Sequence, residues 1–238
     1  VSVKMRKGID AQHLTYLEAG ESAARAGVAW VALHGRTAAQ MYGGHADWDA
    51  IRNLKDHLRQ LNTPVLGNGD IWTGSDALEM MARTGADGVV VGRGCLGRPW
   101  LFSQLTAAFA GEELPTEPRL GRVLQILRRH AELLTLDYGE AKGCRDMRKH
   151  MSWYLKGFSV AHTVRQALGT VQTLAEIDAL VAQIDSDQAF NSEVGSGPRG
   201  RTSGSRRPAL PDRWLETCEL TADDRVNVSL AELSVSGG

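Results

Sequence analysis

Short apolar runs that end in glycine-flanked polar residues recur along the first half of the chain. Pro64-Val-Leu-Gly-Asn-Gly-Asp70 and Gly88-Val-Val-Val-Gly-Arg-Gly94 are two of them. Each reads as a buried parallel strand whose polar end is the loop leaving its C-terminal edge. Between them Ala77, Leu78, Met81 and Ala82 fall at helical spacing and predict a helix over 75–83. Upstream, 1–5 alternates toward a strand, 12–26 carries apolar and small residues at near-helical spacing, and Gly27 is placed to stop that helix. A second strand covers 28–33 and exits through His34-Gly-Arg-Thr37. A helix over 48–61 follows, with Asp47 as N-cap and Ile51, Leu54 and Leu58 as its apolar stripe.

The order is βαβαβαβ, so the expected fold class is α/β, with a parallel sheet and right-handed crossovers. Four strands do not close a barrel. The chain reads as the C-terminal half of a TIM (β/α)8 barrel, because its two glycine-rich loops follow the last two strands, where such barrels often cradle phosphate. A Rossmann sheet would carry its glycine fingerprint after the first strand, and none is there. The barrel half is expected over 1–112, and Gly111-Glu-Glu-Leu-Pro-Thr-Glu-Pro118 marks the boundary. A small all-α bundle is expected over 119–185. Val123, Ile126, Leu127, Leu133 and Leu134 form the apolar face of its first helix, and Met147, Met151, Tyr154 and Leu155 that of its second, over 144–156. A third helix covers 160–168, and a fourth opens on the capping box Thr173-Leu-Ala-Glu176. Residues 186–238, with the low-complexity stretch Gly195–Pro208, are expected to be a disordered tail.

Charge changes this picture in one place. The formal net charge is −1, but residues 119–170 hold ten basic and four acidic side chains between acidic flanks. Such a block suggests a polyanion partner, although arginine-rich solvated helix faces are also common. Cys95, Cys144 and Cys218 are odd in number and far apart, which argues against a disulfide framework or a zinc site and fits a reducing cytoplasm. No apolar run approaches the ~18 residues of a membrane span. The chain opens on Val inside a strand-like run, so a fragment lacking its natural N-terminus is expected; a monomer is expected as well.

Candidate chemistry sits at the strand ends. Asn68, Gly69 and Asp70 can hydrogen-bond a phosphate or ribityl group, or simply form an Asx turn with Asp70 capping the next helix. Gly92 and Arg93 repeat the pattern one unit later, and Arg93 can pair a phosphate bidentately or form a salt bridge at the rim. Lys4 interrupts an apolar strand near its C-terminal end. Pointing inward it suits a delocalised anion or a carbonyl oxygen; the alternative is an edge-strand lysine. His34 and Arg36 lie at the mouth of the second strand, a ligand-facing position, with Gln40, Tyr42 and Trp48 in the loop beyond. On the basic helices Arg145, Arg148, Lys149, Ser152 and Lys156 are expected to face outward.

Val-Lys-Met-Arg (3–6), His-Gly-Arg-Thr-Ala-Ala-Gln-Met-Tyr (34–42), Ala-Asp-Trp (46–48), Gly-Asn-Gly-Asp-Ile (67–71), Val-Gly-Arg-Gly (91–94) and Gly-Arg-Pro-Trp (97–100) together resemble the tRNA-dihydrouridine synthases. Arg-Asp-Met-Arg-Lys-His (145–150) and Tyr-Leu-Lys-Gly (154–157) resemble that family's tRNA-binding helices, nearest the bacterial B-type branch. The resemblance covers about residues 1–185. It implies an FMN barrel with a helical tRNA-binding domain, in which NADPH reduces the flavin and a hydride passes to C6 of a D-loop uridine. By motif, Lys4, His34, Asn68, Gly69, Asp70, Gly92 and Arg93 would contact the cofactor. Arg6, Arg36, Arg145, Arg148 and Lys149 would contact tRNA; no metal or membrane is implied. Two departures stand out. Ala38 occupies a position where many relatives are basic. The Gly-Cys-Pro loop that carries the family's acid would lie upstream of Lys4, and none of the three cysteines matches it, so the fragment alone is expected to be inactive. The alternatives are an FMN barrel acting on a small molecule, such as a dihydropyrimidine dehydrogenase relative, and a non-catalytic RNA-binding protein with a degenerate half-barrel.

Overall fold

The computed structural model describes residues 1–200 and, beyond them, 204, 205, 208, 210, 215, 216 and 221–227. Cys218 and about half of the expected disordered tail lie outside the described residues.

Four parallel strands, β1 (Val3–Arg6), β2 (Val31–His34), β3 (Val65–Asn68) and β4 (Gly88–Val90), form one sheet in the order of the chain. Helices α1 (Tyr16–Arg25), α2 (Trp48–His57) and α3 (Gly74–Thr84) follow the first three strands, and α4 (Leu101–Ala110) follows β4. Consecutive strands pairing in parallel, each followed by a helix, is the arrangement of a partial TIM barrel. The register aligns Arg6, His34, Asn68 and Val90 at one level, and Lys4, Ala32, Leu66 and Gly88 one layer below. Neighbours in register share a face, so both layers look to the same side. The alternate residues face the helices: a Cβ on Gly67 would stand 2.3 Å from Met80 Sδ of α3.

The caps explain where the helices begin. Asp47 accepts from Ala50 N–H, and Thr73 and Asp76 form a reciprocal capping box at the head of α3. Ile51, Leu54 and Leu58 are fully buried, each contributing roughly 1.5–3 kcal/mol. The predicted helix over 48–61 is divided: α2 ends at His57 and a 3-10 turn covers Arg59–Leu61. The apolar stripe of α3 also differs from the predicted one. Gly74, Ala77, Met80 and Thr84 are its buried residues, whereas Leu78 is exposed.

Beyond Glu117 the chain enters the helices α5 (Leu120–Tyr138), α6 (Glu140–Tyr154), α7 (His162–Leu168) and α8 (Leu174–Val181), whose core is separate from that of the sheet. Met147, Met151, Tyr154 and Leu155 are buried as expected, but Leu133 is exposed and the buried stripe of α5 is Leu120, Val123, Leu124, Leu127 and Ala131. The Thr173 side chain caps α8 by accepting from Glu176 N–H, while Glu176 accepts from Gln172 N–H rather than closing the box on Thr173. Within the stretch expected to be a disordered tail, residues 186–200 are mostly exposed, but they hold the short helix α9 (Ser192–Gly195) and two buried residues, Gly195 and Arg199, the latter 3% exposed. Among the described residues no helix is long and apolar enough to cross a membrane.

Candidate ligand cavity at the strand ends

The two layers of side chains open into a cavity of about 280 Å³ at the C-terminal ends of the strands. Lys4, Arg6, His34, Asn68, Gly69, Asp70, Gly92 and Arg93 all line it, so the geometry brings together seven predicted cofactor residues and one predicted tRNA residue. Tyr42 and Trp72 complete its aromatic wall. Sequence reasoning finds Tyr42 only as a loop aromatic and misses Trp72. Arg93 stacks against both rings, its guanidinium 4.3 Å from the Tyr42 centroid and 5.2 Å from that of Trp72. Arg98 fixes the Trp72 backbone by donating to its carbonyl at 3.2 Å. The signal that would have found Trp72 is its place two residues after Asp70, on the same loop.

The turn after β3 depends on its glycine. Gly69 adopts φ +123°, and a Cβ there would stand 2.5 Å from Ala46 Cβ. Its carbonyl accepts from Trp48 Nε1 at 3.0 Å, so Trp48 packs this turn, and the Arg83 guanidinium lies 5.0 Å from the centroid of its ring. Asn68 donates from its amide to Val90 O at 2.6 Å, tying β3 to β4. Gln40 closes a local turn with Thr37.

Arg36 departs from its predicted role. It is 1% exposed, and its guanidinium donates to the carbonyls of Gly43 and Gly44 and, at 2.9 Å, to Asp70 Oδ2. It is committed to hydrogen bonds inside the protein and lines a smaller chamber beside the cavity. Asp70 is committed with it: Oδ2 also accepts from Ala46 N–H at 2.7 Å, and Oδ1 lies 3.6 Å from Arg93. The predicted phosphate-side carboxylate is therefore the counterion that anchors loop 43–46. Arg6 spends one nitrogen on the carbonyls of Thr37 and Met41 while its guanidinium lies 5.5 Å from the Tyr42 centroid.

The cavity is short of negative charge. Among the described residues Asp70 is the one carboxylate lining it, against Lys4, Arg6 and Arg93. Burial, reinforced by neighbouring cations, lowers the pKa of all three. The same burial, with the charges of Arg6, Lys4, Arg36 and Arg93, drives His34 down to about 3, so its imidazole is neutral at pH 7. A neutral ring can accept at Nε2 from Arg36 Nη1, 3.4 Å away. Gly92 leaves room for a ligand: a Cβ there would meet nothing within 4 Å, in the wall of the cavity.

The remaining predicted residues lie elsewhere. Arg145 and Lys149 are exposed on α6. Arg148 is half-buried and donates from Nε to Val171 O at 2.8 Å, which ties α6 to the loop before α8, and Lys156 donates to the carbonyls of Ser196 and Pro198. Neither has the free outward face expected of it. Cys95 lines a separate groove between the β4 exit and α5, and Cys144 is buried in the bundle. Among the described residues no cysteine lines the strand-end cavity, and no three metal-ligating side chains cluster.

A family model described as Dihydrouridine synthase (Dus) matches residues 1–193. A "Probable tRNA-dihydrouridine synthase" of Mycobacterium tuberculosis is 54% identical over 215 residues, covering 90% of this chain and 54% of that protein. One of Mycobacterium leprae is 52% identical over 239 residues, covering 100% and 60%. The "tRNA-dihydrouridine synthase B" of Pasteurella multocida is 35% identical over 171 residues, covering 72% and 51%. The chain thus spans little more than half the length of these relatives.

Proposed function

The chain belongs to the dihydrouridine synthase family, and on that premise we propose that it serves the FMN-dependent reduction of uridine to 5,6-dihydrouridine in the D-loop of tRNA, with NADPH as reductant. The observation that carries the reading is the cation-rich cavity at the strand ends, with Arg93 held between Tyr42 and Trp72. The donor set fits a phosphate-bearing flavin. Arg93 and the loops at Gly69 and Gly92 would hold the phosphate end, and Lys4 would lie against the ring system. Bound there, FMN would supply the hydride chemistry, and the protein its orientation.

The chain's own residues prepare the site electrostatically. Lys4, Arg6 and Arg93 are desolvated before any ligand arrives, so an anion gains more from each than it would in water. An anion beside Lys4 favours the protonated Nζ and offsets the effect of burial. Neutral His34 adds a polar contact without adding charge. By the resemblance to the family, the proton for uridine C5 would come from a cysteine on a loop upstream of Lys4, and on that reading the 238-residue chain alone makes no dihydrouridine. The exposed Arg145 and Lys149 would meet the tRNA backbone, positioning it without reading sequence. Cytoplasmic placement follows from the substrate.

The test is Arg93→Ala in the complete enzyme. Removing one charge-assisted hydrogen bond of about 1.5–3 kcal/mol weakens FMN binding by roughly tenfold or more. Dihydrouridine, read by mass spectrometry of unmodified tRNA, falls with flavin occupancy. A variant that purifies with full flavin refutes the phosphate assignment; dihydrouridine from the isolated 238-residue chain refutes the assignment of the acid.

A further inference from the structure

Residues 186–200 run back along the seam between the sheet and the bundle. Gly121 and Leu120 at the head of α5 donate to Ser186 O and Gln188 O at 2.8 and 2.9 Å. Asn191 N–H then donates to Gly157 O at 3.0 Å, and the Phe190 ring packs edge-on to Phe158 at 5.6 Å. A Cβ on Gly157 would stand 2.5 Å from the Phe190 ring, so the fit requires glycine there. Arg199 closes the run. Its Nη1 donates to Trp153 O at the end of α6 and to Leu96 O after β4, and Nη2 donates to Gly195 O at 3.1 Å. Lys156 Nζ clasps the same stretch through Ser196 O and Pro198 O at 3.1 and 3.0 Å.

These hydrogen bonds set Pro198 into the wall of a second, smaller chamber of about 120 Å³. Tyr42, Asp70, Trp72 and Arg93 line both this chamber and the main cavity, so the two adjoin across Arg93. Gly200 packs on Leu96 and the Arg93 side chain, and Gly204 O lies close to Gly43. We propose that residues 190–200 form a strap that closes the outer chamber of the cavity, latched by Arg199 and Lys156, and that its opening governs exchange of the phosphate-bearing ligand. That ligand is taken from the functional reading above; the strap itself is not.

The latch is built to release. The acceptors that hold Arg199 are backbone carbonyls, and its Nε finds no hydrogen-bond partner among the described residues. The nearby Arg98 charge works against it, and burial together with that charge lowers its pKa to about 10. Glu117 offsets this only in part, being engaged by Arg98, Trp100 and Gln104. A buried cation so held gains less than a carboxylate-paired one and opens at lower cost.

Hydrogen exchange on the 238-residue chain tests the strap without any ligand. Amides of 190–198 should be protected in the wild type. Arg199→Ala and, independently, Lys156→Ala should each speed their exchange, and that of 43–46 and 70–72, by about tenfold while α5 and α6 keep theirs. In the complete enzyme, FMN should leave both variants at least about threefold faster in a stopped-flow chase with an excess of a non-fluorescent flavin phosphate analogue. Unprotected amides over 190–198 in the wild type overturn the strap. Faster exchange there with no change at 43–46 and 70–72, or with unchanged FMN release, overturns its role in closure. If no form binds FMN, the functional reading fails while the exchange pattern still decides the strap.

Discussion

Replacing Asp70 by Asn separates two roles that the sequence merges. The Arg36 guanidinium is 1% exposed, and its remaining acceptors include the carbonyls of Gly43 and Gly44. Asp70 has φ +54°, a conformation that Asn tolerates well, so the substitution changes charge rather than backbone. An amide oxygen can still accept from Arg36 and Ala46. The loss is therefore the difference between charged and neutral hydrogen bonds, together with part of the cost of leaving a buried charge without its counterion. Complete removal of a buried partner costs about 3–5 kcal/mol, and a charged hydrogen bond is worth about 1.5–3 against roughly 1 for a neutral one. Asp70→Asn should thus destabilise by about 1.5–3 kcal/mol. With a urea m-value of about 1–3 kcal/mol per molar, the unfolding midpoint falls by roughly 1 M. Anion binding should move the other way. A carboxylate 3.6 Å from Arg93 competes with a phosphate, so FMN affinity, read by flavin fluorescence, stays level or improves. A midpoint within about 0.3 M of wild type would show that the pair does not hold the loop. FMN binding weakened tenfold would make Asp70 a ligand contact after all.

The other expectations concern pH and salt. His34 is neutral in the fold, with a pKa of about 3, and titrates near 6.5 when unfolded, so between these values the unfolded chain holds the extra proton and stability falls as pH drops. Stabilities from urea unfolding between pH 7 and 5 should give a slope that His34→Gln reduces by about 1 kcal/mol per pH unit on average, rising toward ~1.4 at the acid end; an unchanged slope would mean that His34 is not buried neutral. For the complete enzyme, Arg145→Ala with Lys149→Ala should weaken tRNA binding and flatten its log–log salt dependence by up to ~0.9 for each phosphate no longer neutralised, with FMN content unchanged. An unchanged salt slope would place the tRNA on another face. Arg148 is left in place because its hydrogen bond to Val171 would confuse a docking effect with a folding one.

Strand order and helix caps are readable because both are local. Asp47 before α2 and the alternation of the sheet residues need only neighbouring sequence, and Lys4 interrupts an apolar strand at the layer where it faces the cavity. Helix stripes are less readable. In α3 the buried face runs through Thr84, whose hydroxyl is satisfied by Met80 O at 2.7 Å, and a hydrophobicity pattern cannot see a polar group whose hydrogen bond is made within the helix. Leu133 fails for a related reason: helical spacing places it near the apolar face of α5, but it lies on the rim of the groove beside Ile126 and Pro99.

The strand-end residues divide in a way that their motifs do not announce. Lys4, Arg6 and Asn68 reach the cavity by strand register, and Gly92 and Arg93 by the loop that leaves β4. Arg36 sits two residues past His34, at the same kind of position, yet lines the smaller chamber and not the main cavity. Its direction is set by Gly43 and Gly44 from its own loop and by Asp70, 34 residues downstream. Arg199 is the extreme case, a cation in a low-complexity stretch that finds carbonyls as far as 103 residues back. Composition marks that segment as unable to form a core. Its anchorage is borrowed: Phe190, just ahead of it, packs on Phe158 at the edge of the bundle core, and Arg199 reaches carbonyls of α6 and of the loop after β4. A segment that relies on a neighbour's core keeps a low barrier to detachment, and the composition that makes the tail read as disordered is the same composition that lets residues 190–200 release.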